Sequence, residues 1–126
     1  MRMRILIVDD SASVRGYHRA VLAGPGWVIE EAANGYEALE KALRHTYDLF
    51  LVDVNMPQMD GYELVRQLRE LPEYRTVPVV LVTTEAGEED RRAGFAAGAN
   101  AYLVKPARPA ELRCLAALLT GAKWRG

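Results

Sequence analysis

The sequence predicts an α/β protein in which a parallel sheet of five strands is covered on both faces by five helices. Short apolar runs alternate with longer segments whose apolar residues recur at helical spacing, so that strand and helix follow each other along the chain. Strands that alternate with helices require right-handed crossovers and give a parallel sheet. The apolar runs show no polar alternation, which is typical of strands buried on both faces.

The first strand is residues 5–8, a β-branched and aliphatic run that two acids end. The first helix spans residues 12–22, capped by Ser11 or Ser13 and broken by Gly24-Pro25-Gly26. Residues 27–31 form the second strand. The second helix begins at Asn34, where Glu37 completes a capping-box pattern. Its apolar stripe consists of Ala38, Leu39, Ala42 and Leu43.

Residues 49–52 form the third strand, which ends at Asp53, and a loop covers residues 54–59. Asp60 caps the third helix, which extends to residue 70. Pro78 opens the fourth strand, residues 79–82, which ends at Thr83.

A helix over residues 88–97 closes at Gly98, and the fifth strand, residues 101–104, ends at Lys105. Pro109 begins the last helix, whose inner face carries Leu112, Leu115, Ala116 and Leu119. Lys123-Trp124-Arg125-Gly126 follow it. We therefore expect a single domain over residues 1–126, with no linker and no output domain.

The composition of the chain argues against several classes of function. The 126 residues hold 16 Lys and Arg against 17 Asp and Glu, which gives no electrostatic basis for nucleic-acid binding. Arg91-Arg92 is interpreted as a solvated helix face. The apolar runs are too short for a signal peptide or a membrane span, so we predict a cytoplasmic protein. Cys114 cannot form an internal disulfide and is interpreted as a small apolar residue beside the core.

Polar side chains collect at the carboxyl ends of the strands. These are Asp9 and Asp10 after strand 1, Asp53 after strand 3, Thr83 after strand 4 and Lys105 after strand 5. Because these ends lie at one edge of a parallel sheet, we expect the side chains to converge. No glycine-rich nucleotide loop follows strand 1. Clustered carboxylates are compatible with a cation between them, and an all-oxygen ligand set favours Mg²⁺.

With a cation present, Asp53 can act as a nucleophile on phosphorus and form an acyl phosphate. Lys105 and Mg²⁺ would offset the phosphoryl charge, and Thr83 would donate a hydrogen bond to the same group. Any one of these residues alone is more typical of a cap or a turn, but their joint placement indicates a site. His18 and His45 are expected on helices away from it, without a chemical role.

The segments that carry these residues have a recognisable order and spacing. They are residues 8–11, 52–61, 82–86, 98–99 and 102–106. Over nearly the whole chain they resemble the receiver domains of bacterial two-component response regulators, in particular the single-domain chemotaxis type. The resemblance implies a flavodoxin-like, doubly wound (βα)5 fold with strand order 2-1-3-4-5. It also implies a signalling switch, not an enzyme, which catalyses only its own phosphorylation and dephosphorylation.

The resemblance implies a role for each matched position. Asp53 is the phosphoacceptor, Lys105 binds the phosphoryl group and Thr83 moves toward it. The Lys105-Pro106 bond is cis. The Mg²⁺ ligands are Asp10, Asp53 and the backbone carbonyl of Asn55, with Asp9 acting through water. The phosphoryl donor is a sensor histidine kinase or a phosphotransfer protein.

The resemblance also implies how the signal leaves the site. Tyr102 turns inward as Thr83 moves, and the surface of helix 4, strand 5 and helix 5 then changes its affinity for a downstream protein. That surface comprises Glu88, Arg91, Tyr102, Val104, Ala107, Arg108 and Leu112. Residues Asn55, Thr84 and Glu85 tune the site, Thr84 by narrowing access to it, and we predict a short-lived phosphoryl group.

Three departures from the family concern the partner surface. Many relatives have an aromatic residue at Ala107, so this surface is expected to be smaller. Asn100-Ala101 replaces an acidic pair, which weakens the case for the family's dimer. Leu118, on an unusually apolar helix, is expected to be partly buried against a neighbouring helix, with a partner or homodimer patch as the alternative. A monomer or weak homodimer is predicted.

Two other functions remain open at this point. A Mg²⁺-dependent aspartyl-phosphate phosphatase or phosphotransferase would release many phosphates per chain, whereas a receiver holds one. Such enzymes usually carry a cap domain, for which the 126 residues leave no room. A phosphorylation-independent pseudo-receiver would be expected to lack an acid or the lysine, and both are present here.

Overall fold

The computed structural model describes residues 3–24 and 26–121. One parallel sheet has the order β2-β1-β3-β4-β5, as predicted. Its strands are β1 (Arg4–Val8), β2 (Val28–Ala32), β3 (Leu49–Val52), β4 (Val79–Thr83) and β5 (Ala101–Val104). The helices are α1 (Ala12–Leu22), α2 (Gly35–Arg44), α3 (Gly61–Glu70), α4 (Glu88–Ala97) and α5 (Pro109–Thr120), with a 3-10 turn at Pro72–Tyr74.

The predicted elements are confirmed, with shifts of one residue: β1 begins one residue earlier than expected, β4 ends one residue later, and β2 both begins and ends one residue later. Helix α1 ends at Leu22, before the expected break at Gly24-Pro25-Gly26, of which Pro25 lies outside the described residues, as does the segment 123–126. Within the described residues, no helix is both long and apolar enough to cross a membrane.

The sheet separates two hydrophobic cores. Because successive strand side chains point to opposite faces, β1 supplies Ile5 and Ile7 to one core and Leu6 and Val8 to the other. Residues of α1 and α5 complete the first core, and residues of α2, α3 and α4 complete the second. These four β1 side chains are at most 1% exposed. Both faces of the strand are therefore shielded from water, which explains why its sequence shows no polar alternation.

Three helices begin at the caps that the sequence predicts. Ser11, Asn34 and Asp60 each accept a hydrogen bond from the backbone N–H three residues later, at 3.3, 2.8 and 2.9 Å respectively. Ser13, the alternative cap, lies inside α1. The capping bonds satisfy amides that the first turn of a helix leaves without a partner. By contrast, α4 and α5 have no side-chain capping bond.

Three helix residues lie outside the cores, contrary to expectation. Leu43 is 69% exposed and Leu118 is 74% exposed, and Cys114 is also exposed. Leu43 follows the buried Ala42 by one residue, about 100° around the helix, and Leu118 is about 200° around from the buried Ala116. Helix rotation therefore turns these apolar side chains to solvent.

Gly61 begins α3 where the chain passes close beneath the loop after β3. A Cβ at this position would lie 2.4 Å from the carbonyl oxygen of Asp53 and 2.8 Å from the Cα of Val54. We expect Gly61→Ala to lower the free energy of unfolding by about 2 kcal/mol, because backbone on both sides must move. Urea unfolding measures the change.

Gly16→Ala is the matched control for Gly61→Ala. Gly16 lies on the exposed side of α1, and an added Cβ meets nothing within 4 Å. Because alanine is the better helix former, Gly16→Ala should raise the free energy of unfolding by about 0.5–1 kcal/mol. Wild-type stability in Gly61→Ala would show that the close approach does not constrain the chain.

Candidate functional site

The strand register brings the polar residues together. The last residues of β1 and β3 are paired in the ladder, so Asp9 and Asp53, which follow them, are neighbours. Thr83 ends β4 opposite the last residue of β5, and Lys105 comes next. The amide of Lys105 donates to the carbonyl oxygen of Thr83 at 2.8 Å. The parallel ladder therefore fixes four of the predicted site residues at one edge, as expected.

Three carboxylates converge at this edge. Asp9, Asp10 and Asp53 each offer a ligand oxygen, and these atoms all lie within 4.8 Å of one another. Asp9 and Asp53 are 2% and 6% exposed, whereas Asp10 is exposed. Carboxylate oxygens at this spacing are suited to a hard divalent cation such as Mg²⁺, which accepts oxygen ligands and keeps several waters. The donor set of the chain therefore fits a magnesium ion.

Lys105 partly neutralises the cluster. Its Nζ lies 2.8 Å from Oδ2 of Asp9 and 3.3 Å from Oδ1 of Asp53. Burial alone would lower the pKa of Lys105, but the hydrogen bond with Asp9 and the charge of Asp53 outweigh it, so the pKa is raised. Lys105 is therefore a fixed positive charge. The Lys105-Pro106 bond is cis, as predicted.

Asp53 is held in an environment that disfavours its charge. Burial is the main cause of its raised pKa, and the neighbouring charge of Asp9 adds to it. Lys105 and a backbone hydrogen bond from Asn55 act in the opposite direction without cancelling the effect. A cation or another positive group at this site would relieve the repulsion between the two carboxylates.

Thr83 connects the site to the loops around it. Its side chain is fully buried, and its Oγ1 accepts a hydrogen bond from the amide of Glu85 at 3.2 Å. The side-chain amide of Asn55 donates to Oε1 of Glu85 at 3.2 Å and lies 3.5 Å from Oγ1 of Thr83. Asn55 and Glu85 therefore form a polar rim at the mouth of the site, next to the exposed Thr84.

Tyr102 points inward. It is 6% exposed, and its hydroxyl donates to the carbonyl oxygen of Glu85 at 2.8 Å. The guanidinium carbon of Arg91 lies 5.3 Å from the ring centroid. Burial, followed by the hydrogen bond with Tyr62, raises the pKa of Tyr102. Through Glu85, the tyrosine is linked to the loop that holds Thr83.

The expected partner surface is only partly exposed. Glu88, Arg91 and Arg108 lie at the surface, and Val104 is partly buried. Ala107 and Leu112, which were also expected there, are 2% and 1% exposed, because they pack in the core beneath α1 and α5. The expectation that the side chain of Ala107 lies on the partner surface is therefore wrong, since it belongs to the interior.

His18 lies beside the site, so the expectation that it lies far away is wrong. It is 3% exposed and, together with Lys105, lines a cavity of about 360 Å³. Burial, followed by the charge of Lys105, lowers the pKa of His18. The other lining residues are Ser13, Val14, Tyr17, Thr84, Pro106 and Ala107. The sequence contains a signal for this inward position, because His18 stands four residues from both Val14 and Leu22 on the inner stripe of α1. His45 follows α2 instead of lying within it.

Comparison with known proteins identifies one family. The model of the response regulator receiver domain matches residues 5–117. A gliding motility regulatory protein of Myxococcus xanthus is 45% identical over 104 residues, which are 82% of this chain and 13% of that protein. The transcriptional regulatory protein ResD of Bacillus subtilis is 42% identical over 109 residues, 86% of this chain and 44% of that protein. The chain thus spans less than half the length of these two relatives.

Solved structures agree with the family match. The chemotaxis protein CheY4 of Vibrio cholerae superposes with a TM-score of 0.89 at 38% identity, covering 94% of this chain and 99% of that one. The receiver domain of a sensor histidine kinase from Pseudomonas aeruginosa superposes with a TM-score of 0.88 at 33% identity, covering 97% and 100%. The latter structure has a magnesium ion coordinated in its active-site cleft.

Proposed function

Because the chain belongs to the response regulator receiver domain family, we propose that it is a phosphorylation-activated switch of a two-component system. Asp53 accepts a phosphoryl group from a phosphohistidine on a sensor kinase or phosphotransfer protein. One observation carries this proposal. The buried carboxylate of Asp53 lies 3.3 Å from the ammonium of Lys105, within an acidic cluster that fits a divalent cation.

The transfer follows from the chemistry of these side chains. A carboxylate oxygen of Asp53 attacks phosphorus, the bond from phosphorus to the donor nitrogen breaks, and its electron pair leaves with the imidazole. Lys105 offsets negative charge on the phosphoryl oxygens. Asp10, Asp53 and the carbonyl of Asn55, with Asp9 acting through water, would hold Mg²⁺, which would supply further charge compensation.

The signal passes from the site through the loop after β4. In the unphosphorylated chain Thr83 Oγ1 accepts from the amide of Glu85, whose carbonyl holds Tyr102. A phosphoryl group on Asp53 offers the Thr83 hydroxyl a charged acceptor, and this draws the loop toward the site. The surface around α4, β5 and α5, including the exposed Glu88, Arg91 and Arg108, then changes its affinity for a downstream protein.

The experiment that tests the proposal follows label from a small acyl phosphate into the protein. With Mg²⁺, we expect at most one phosphoryl group per chain, and chelation of the metal should prevent incorporation because charge at the phosphoryl oxygens is then uncompensated. The label should be lost well before many hours have passed, since the exposed Asn55 and Glu85 leave the mouth of the site polar.

The alternatives give different results in the same experiment. Rapid release of many phosphates per chain, with no label held on the protein, would indicate an aspartyl-phosphate phosphatase, because a receiver releases only one phosphate each time its label is lost. Absence of label with and without Mg²⁺ would indicate a phosphorylation-independent scaffold. A phosphoryl group that persists for many hours would contradict the expected short lifetime.

A further inference from the structure

Arg15 connects the acidic turn after β1 to Glu31 on the neighbouring strand β2. Its Nη1 lies 2.6 Å from the carbonyl oxygen of Asp9, and its Nε lies 2.9 Å from Oε1 of Glu31. The Arg15 side chain is only 16% exposed. A planar guanidinium that binds two acceptors at once has little freedom, so its contact with the turn is geometrically defined.

The contact constrains the peptide unit that leads into Asp10. The Asp10 side chain is exposed, so its position depends mainly on its backbone. The carbonyl of Asp9 and the amide of Asp10 belong to one planar peptide unit, and a group that holds this carbonyl therefore orients the backbone of Asp10. The amide of Asp9 is fixed separately by the carbonyl of Ala32, at 3.1 Å.

Glu31 orients Arg15. The second carboxylate oxygen of Glu31 accepts from Nε of Arg19 at 2.6 Å. The hydrogen bonds from Arg19 and Arg15 hold the pKa of Glu31 below its usual value. Lys41 donates to the backbone carbonyl of Glu31, which helps to fix this residue near the end of β2. Arg19 shares Glu31 with Arg15 but is not bonded to the acidic turn, and this makes it a natural control.

We propose that Arg15 is a positioning residue for the divalent cation: it holds the Asp9–Asp10 peptide so that the Asp10 carboxylate meets that of Asp53. The inference rests on the metal-dependent function proposed above. The direction of the change in Mg²⁺ affinity distinguishes this positioning role from a simple charge effect. Removing a positive charge near the acids would by itself strengthen cation binding, whereas loss of the positioning contact weakens it.

The test measures the Mg²⁺ dissociation constant by titration of backbone amide resonances. The chains compared are wild type, Arg15→Met, Arg15→Lys and Arg19→Met. We expect both Arg15 variants to bind Mg²⁺ at least about ten-fold more weakly, the range found when partners that orient metal ligands are removed. Arg15→Lys keeps the charge but loses the planar guanidinium that binds the Asp9 carbonyl and Glu31 at once. Arg19→Met should remain within two-fold of wild type.

Thermal unfolding without metal separates positioning from general stability. A purely structural role would lower the unfolding midpoints of the Arg15 variants and leave their Mg²⁺ affinity at the wild-type value, which would overturn the inference. Tighter binding by Arg15→Met with wild-type binding by Arg15→Lys would indicate a charge effect and also overturn it. Wild-type protein that binds no Mg²⁺ would instead refute the proposed function, and with it the cation site.

Discussion

Asp53→Asn is expected to abolish transfer of a phosphoryl group to the protein. The asparagine amide occupies almost the same space but lacks the anionic oxygen that attacks phosphorus, so no acyl phosphate forms. In the structure this carboxylate is 6% exposed and faces the ammonium of Lys105 at 3.3 Å. Incorporation of label from a small acyl phosphate in Mg²⁺ should fall to background.

Asp60→Asn is the matched control. Asp60 is a nearby acid in the same motif, but it is exposed and its Oδ1 caps α3 by accepting from the amide of Glu63 at 2.9 Å. Asparagine caps helices as well as aspartate does, so the fold and the labelling should both be retained. Labelling of Asp53→Asn at the wild-type level would place the phosphoryl group on another residue and refute the assignment.

Asp53→Asn is also expected to stabilise the metal-free protein at neutral pH. Burial and the charge of Asp9 raise the pKa of Asp53 in the folded state. The folded protein therefore holds this proton more tightly than the unfolded chain, and stability is lost as the pH rises from the unfolded value of about 3.9 through the folded pKa. Asparagine does not titrate, so the Asp53→Asn variant avoids this pH-dependent loss of stability.

Thermal unfolding in chelator measures the effect. The unfolding midpoint of Asp53→Asn should exceed that of wild type at pH 7, and the difference should disappear below about pH 3.9, where the carboxyl is neutral in both states. Mg²⁺ should stabilise wild type more than the variant. A lower midpoint for Asp53→Asn at pH 7 would show that the attraction of Lys105 outweighs burial and repulsion.

Much of the site follows from sequence because sheet geometry leaves little choice. Once the runs before Asp9 and Asp53 are identified as neighbouring parallel strands, the two acids must lie at one edge. The cap at Asp60 was equally predictable, since its bond is local and involves a residue three positions away. Such features depend on short spacings that a sequence displays directly.

Features that depend on helix rotation or on backbone acceptors were not predictable in the same way. The contact of Arg15 with the carbonyl of Asp9 leaves no motif, because any residue offers a carbonyl. Asn100 shows the same limit. Its Oδ1 accepts from the amide of Val79 at 2.9 Å and from Arg69 at 2.8 Å, so it holds the start of β4. From the sequence, Asn100 stands out only as a departure from the acidic pair of the family's dimer surface.

Lys105→Met is expected to produce the largest loss of stability among the site variants. It leaves the carboxylates of Asp9 and Asp53, 2% and 6% exposed, without their common counter-charge. Removing one partner from a buried ion pair costs about 3 kcal/mol, because the remaining charge is desolvated and uncompensated. Urea unfolding in chelator measures the loss. Arg92→Met, which breaks an exposed pair with Glu88, should cost less than about 0.5 kcal/mol.

A second substitution tests whether the uncompensated carboxylates cause the loss of stability in Lys105→Met. Asp9→Asn introduced into Lys105→Met removes one of the two uncompensated carboxylates, so it should recover part of the lost stability instead of adding to it. The double-mutant cycle should therefore give a coupling energy of about 1–3 kcal/mol between Lys105 and Asp9. Additive effects would mean that Lys105 stabilises the fold through its alkyl chain. Mg²⁺ should also stabilise Lys105→Met more than wild type, because a cation among the acids then replaces the missing ammonium.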